Sequence, residues 1–287
     1  MQTCFNIVSG QNWTSWNVEQ LIPGQTLDVF GSPLLILDIN EKVMVFRYRD
    51  TVCRIEREWQ VLGTPDRFVF FFSRDRQADE EWSDEKAGEL VRALYANQEK
   101  GEVWKNIPLV RQFIHELKDK APFRSSVTNP AYKAYYLSRV LEEDFVCIKE
   151  TPRLYQSLCE LYCVYREVAE ASDFDNYLRE HVHEDTLPEL DAWIQKLACI
   201  VVEPGSKEAL ACWDSLGGML KTDPVQLSPA WEEIIYDVEC ELEVALKDEP
   251  RGMGFCFAYW SAKIAALARR GILWRSPAAM NPRVMFD

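Results

Sequence analysis

Three groups of residues in this 287-residue chain have types and spacings that could do chemistry or recognition. The first is Glu180-His181-Val182-His183-Glu184-Asp185. Two imidazoles one residue apart on a strand or loop can reach a common ion, and the neighbouring carboxylates can complete its shell or act as a base. On that reading His181 and His183 are metal ligands of a hydrolase. The structural alternative places the same histidines at a helix end, where they meet the carbonyl dipoles, and no HExxH accompanies them.

The second group is Arg269, Arg270, Trp274 and Arg275. Guanidinium forks bind phosphate bidentately and an indole can stack on a base, so these residues could form an anion or nucleotide site. In the competing reading they pack, with Arg251, Lys263 and Arg283, against acidic helices. The C-terminal segment is then a structural strap held mainly by Trp274, Met280, Val284 and Phe286, because exposed ion pairs contribute only about 0–1 kcal/mol each. The net charge of −14 favours the strap and argues against nucleic acid, whose binding depends on positive surface.

The third group is acidic. Residues 121–250 carry 11 Lys and Arg against 26 Asp and Glu, a net −15, whereas residues 251–287 carry 6 against 1, a net +5. Glu239, Glu241 and Glu243 mark the acidic face, which is suited to a protein partner with a basic surface. The leading expectation is therefore a non-catalytic cytoplasmic interaction protein that binds a macromolecule through this helical surface, with no cofactor. A metal-dependent hydrolase at His181/His183 and a phosphate-binding protein at the basic segment are the alternatives.

Other catalytic templates fail. There is no GxxxxGK[ST] loop, no GxGxxG after a strand and no GxSxG elbow, and the glycines of Arg251-Gly252-Met253-Gly254 read as a tight turn between helices. The nine cysteines include no CxxC pair. They suit small reduced core positions in a reducing compartment, with Cys159 and Cys163 at i, i+4 offering at most half a metal site. Residues 1–18 contain no Lys or Arg, so no secretory signal is expected. Gly254 to Ala268 is the most apolar run, but it is too short to span a bilayer and contains Lys263, so a buried helix is expected there.

Those groups need elements to position them. Residues 26–73 alternate with period two, and strands are expected over 33–39, 43–48, 51–62 and 67–72, joined by short turns as an antiparallel meander. The wholly apolar 68–72 run predicts a strand covered on both faces by later helices. Helices are expected over about 79–98 and 103–120. Further helices should start at Asn129-Pro130, Thr151-Pro152, Ser228-Pro229 and Ser276-Pro277, because Pro at the first helical position loses no hydrogen bond. Leu154, Leu158, Leu161, Tyr165 and Val168 form one apolar stripe, and Leu187, Leu190, Ile194, Leu197 and Val201 another. The fold class is α+β: an N-terminal antiparallel β-meander of about four strands (1–75) packed on a predominantly α-helical body (76–287), read as one continuous unit.

Overall fold

The computed structural model describes residues 3–9, 12–57, 61–63, 68–74, 84–119, 130–142, 145, 148–171, 186–216 and 220–286. The fold is α+β. The strands are β1 (Thr3–Ser9), β2 (Asn12–Asn17), β3 (Thr26–Val29), β4 (Ser32–Ile39), β5 (Val43–Tyr48), β6 (Thr51–Glu56), β7 (Val61–Gly63) and β8 (Val69–Arg74). They form two four-stranded antiparallel sheets, ordered β3-β4-β5-β6 and β2-β1-β8-β7.

Three strands of the first sheet, β4, β5 and β6, follow the expected meander, and β3 adds a strand in front of them. Phe30-Gly31 closes its opening hairpin with both residues at positive φ, the geometry whose twist matches the flanking strands. The second sheet corrects the expected connectivity. The expected 51–62 strand is divided: β6 stays in the first sheet, whereas β7 pairs antiparallel with β8, Val61 opposite Phe71, and the other edge of β8 pairs with β1, Phe5 lying opposite Phe72 and Ile7 opposite Phe70. This pairing joins segments some 65 residues apart, and nothing in local periodicity announces it.

The inner faces of the two sheets share one core. Phe46 of β5 meets Phe5 and Phe70 at ring-centroid distances of 5.7 and 4.9 Å. The outer face of β8 is also covered, with Phe71 buried and helix α2 (Asn106–Asp119) packed on the strand. That is the two-sided burial its apolar run predicted.

The other helices are α1 (Asp84–Glu99), α3 (Pro130–Glu142), α4 (Pro152–Ala171), α5 (Thr186–Val202), α6 (Lys207–Leu216), α7 (Pro229–Ala245), α8 (Phe255–Arg269) and the short α9 (Pro277–Met280). All four polar-Pro signals start a helix at the proline. Ser228 Oγ accepts from Trp231 N–H at 3.2 Å and Ser276 Oγ accepts from Ala279 N–H at 3.3 Å, each satisfying a donor the first turn would leave open. At the other end of α8, Gly271 sits at φ 78°. Ile272 N–H there reaches Leu267 O and Gly271 N–H reaches Ala268 O, both at 3.0 Å, which closes the helix as a Schellman turn.

The chain divides into two compact units, Met1–Val146 with Arg153–Gln195, and Cys147–Pro152 with Lys196–Asp287. Within the first unit α2 packs on β8.

Candidate functional site

The second unit contains both the basic group and the helix that carries Glu239, Glu241 and Glu243. Helix α7 presents Trp231, Ile235, Val238 and Leu242 to its core, and α8 packs beside it. The expectation that α8 is simply a buried apolar helix is corrected here, because it buries Lys263 beside Ala266 and Leu267 and turns other apolar side chains outward. Lys263 is 2% exposed, while Phe257 and Ile264 are 49% and 40% exposed.

Lys263 stays inside because every demand of its ammonium is met. Nζ donates to Glu239 Oε1 at 2.7 Å, to Glu150 Oε1 at 3.0 Å and to the Tyr259 hydroxyl at 3.2 Å, using all three donors. The rings of Trp231, Tyr259 and Trp274 surround it at 5.3, 5.4 and 5.5 Å, within cation–π range. Tyr259 O–H donates to Glu239 Oε1 at 2.6 Å and completes the network. Burial would lower the lysine pKa, but Glu150, Tyr259 and Glu239 outweigh it and hold the pKa above the ordinary lysine value. The ammonium is therefore protonated at neutral pH, which removes it as a nucleophile or base and makes it an internal tie.

The acidic group divides on inspection. Glu239 is buried in this network and belongs to no exposed face. Glu241 is engaged by Arg269 and by Arg270 Nη1, the latter at 2.8 Å, and these contacts, Arg270 foremost, hold its carboxyl below the usual range. Glu243 is exposed.

The basic group is likewise committed. Arg269 and Arg270 face Glu241, while Arg275 donates to Asp223 Oδ2 from Nε at 3.0 Å and from its backbone N–H at 2.8 Å. Burial raises the Asp223 pKa, but hydrogen bonds from Arg275 and the Val225 amide prevail and hold it below the ordinary value. Trp274 is buried, and its indole N–H donates to Gln226 Oε1 at 3.2 Å, so it presents no face for a base to stack on. Asn281 accepts from Lys221 N–H and donates to Lys221 O, both at 2.8 Å. Together these bonds lay residues 274–281 along residues 221–226, as a strap would. Of the side chains expected to hold it, Phe286 meets Trp260 edge-on at 5.1 Å, whereas Val284 is exposed.

His181 and His183 lie outside the described residues. Among the described residues no group of three or more His, Cys, Asp or Glu side chains is placed to hold a metal ion, and no helix is long and apolar enough to cross a membrane.

Sequence reasoning missed two features. One is Glu150, which joins the lysine from a turn more than 100 residues away and carries no local signal. The other is a buried polar seam in the first unit, where Arg153, Gln156, Ser157 and Glu160 share one face of α4. Arg153 pairs with Glu56, Ser157 Oγ accepts from Val61 N–H at 3.4 Å and Gln156 donates to Glu160 at 2.9 Å. Their i, i+3, i+4, i+7 spacing is visible in the chain but reads as a solvated face, because only a partner strand makes burial affordable there.

Beside the paired Lys263, Arg269, Arg270 and Arg275, the second unit carries an apolar strip. Phe257, Trp260, Ile264 and Ala268 recur at three- and four-residue steps on one side of α8. Phe257 meets Trp260 edge-on at 5.4 Å, and Leu273, 87% exposed, lies just beyond the helix end. There Ile264, Ala268, Ile272 and Leu273, with Asp223 and Arg275 at the polar edge, line a cleft of about 280 Å³. No family model, no curated protein and no solved structure matches this chain.

Proposed function

We propose that this chain is a non-catalytic cytoplasmic interaction protein that docks a macromolecular partner through the exposed strip of α8 and the adjoining cleft. The observation that carries the reading is the apolar side that α8 turns outward. A helix that buries its lysine and exposes Phe257 and Ile264 has a second apolar side, of which the unit covers only part, through the contact of Phe286 with Trp260. Contiguous exposed apolar surface of this type marks interaction sites, and a fully covered Phe, Ile or Leu side chain gains about 1.5–3 kcal/mol. The engagement of Glu239 and Glu241 inside the unit favours this face over the one that carries them with Glu243. The free thiols of the described cysteines suit a reducing compartment.

The test is site-specific photo-crosslinking in the source cells, with the reactive group at Leu273, at Phe257 or at Glu243. A discrete heavier adduct is expected from the first two positions, and it should disappear when Ile264→Asp is added. Adducts only from Glu243 would return the docking face to the acidic surface, and adducts from none of the three would refute the reading.

A further inference from the structure

We infer that the partner element seated on this strip is an acidic amphipathic helix. The inference rests on the docking reading above and adds the chemistry of the occupant. Three observations point to it.

The first is shape. From Phe257 to Ala268 the strip spans 12 residues of the helix, about 17 Å at 1.5 Å rise per residue, which matches roughly three turns of a second helix laid alongside. The cleft walled by Ile264, Ala268 and Leu273 is open at its end and admits one large apolar side chain.

The second is charge. Residues 251–286 contain six Lys and Arg and no Asp or Glu, in a chain whose net charge is −14. Arg251 precedes the strip, with its guanidinium 4.8 Å from the Phe255 ring, and Arg269 and Arg275 follow it with side chains 60% and 61% exposed. Glu241 and Asp223 offset part of the charge of Arg269, Arg270 and Arg275. Among the described residues neither Arg251 nor Arg283 pairs with a carboxylate. The strip therefore has Arg251 at its start and Arg269 and Arg275, partly offset by Glu241 and Asp223, at its end, and a partner carrying carboxylates beside its apolar positions is complementary to it.

The third is the exclusion of a second copy. Stacking α8 on the α8 of another molecule would bring the same arginines together, and like charges at an interface are unfavourable. The acidic helix of this chain, α7, does not fit either, since its own apolar face is already buried in the unit.

The probe is a fluorescein-labelled 18-residue helical peptide of Leu, Ala and Glu with Leu at i, i+4, i+7 and i+11. It is compared with the same peptide carrying Lys for Glu and with a scrambled order, all by fluorescence anisotropy on the full chain. Each exposed Arg–carboxylate contact contributes a factor of a few, so the Glu peptide should bind at least about tenfold more tightly than the Lys peptide. Its affinity should fall with added salt and with Arg251→Glu/Arg283→Glu. Leu273→Asp, at a side chain already in solvent, should abolish binding without changing the thermal melt. Equal or tighter binding of the Lys peptide, sensitive to Leu273→Asp, would overturn the acidic class and leave the docking face standing. No binding of the Glu peptide, or binding indifferent to Leu273→Asp, would overturn the inference. So would a dimer in sedimentation that Leu273→Asp dissolves, which would assign the strip to a second copy. The cell-based crosslinks from Leu273 decide the docking face independently of these outcomes.

Discussion

Replacing Lys263 with Met tests the centre of the second unit most directly. The thioether chain keeps most of the aliphatic packing beneath Trp231 and Trp274 but removes the ammonium. Glu239 is left with only the Tyr259 hydroxyl of its two partners in this network, and Glu150 loses its contact altogether. Removing one member of a buried ion pair costs about 3–5 kcal/mol, because the desolvated charge that remains has nothing to offset it. The three cation–π contacts are lost as well. A loss of about 3–5 kcal/mol is thus expected for Lys263→Met, a large share of the 5–15 kcal/mol typical of a folded domain. Urea titration at neutral pH, followed by hydrogen exchange of the α7 and α8 amides, reads it locally. Adding Glu239→Gln should recover part of the loss, since the double variant no longer buries that orphaned carboxylate. The pH dependence has a definite sign. The folded-state pKa of Lys263 lies above its unfolded value of about 10.4, so its stabilisation is complete below that pH and fades as pH rises toward the folded value. The gap between wild type and Lys263→Met should therefore be widest at neutral pH and narrow above about pH 10. A cost below about 1 kcal/mol at neutral pH, or a gap that widens in alkali, would refute the assignment of Lys263 as the internal tie.

Other perturbations probe the strap and its helix ends. Asp223→Asn removes the charge and one of the two oxygens that together accept from Val225 N–H and from Arg275 Nε and N–H, and should cost about 1–2 kcal/mol in urea unfolding. The folded Asp223 pKa is depressed, so its contribution is present above the unfolded value of about 3.9 and is lost as pH falls through the folded one; the Asn variant should lack that acid-sensitive component. Asn281→Ala deletes two bonds to Lys221 and one to Pro277, a loss of about 2–3 kcal/mol that limited proteolysis should register as earlier cleavage between residues 270 and 286. Gly271→Ala forces a Cβ into the left-handed region and should lower stability by about 1 kcal/mol, measured by thermal melting.

What the sequence determined about this protein is local. Ser228-Pro229 and Ser276-Pro277 start helices because the serine oxygen and the fixed proline φ act within one turn, and Gly271 ends one because it alone tolerates φ 78°. The 33–56 hairpins and the two-sided burial of β8 were legible for the same reason, since periodicity two and an unbroken apolar run are properties of short segments. Tertiary structure decided what depends on partners distant in the chain. β8 chose β1 over β6, α4 turned a polar stripe inward against Glu56 and Val61, and Glu241 and Asp223 claimed the arginines that spacing alone had offered to an anion. The candidate site was decided in the same way. A lone lysine in an apolar helix is expected to mark the solvent side, because burying its charge in isolation costs many kcal/mol. Only when Glu150, Glu239 and three aromatic rings converge on it does the inward orientation become the stable one, and that convergence turns Phe257 and Ile264 outward.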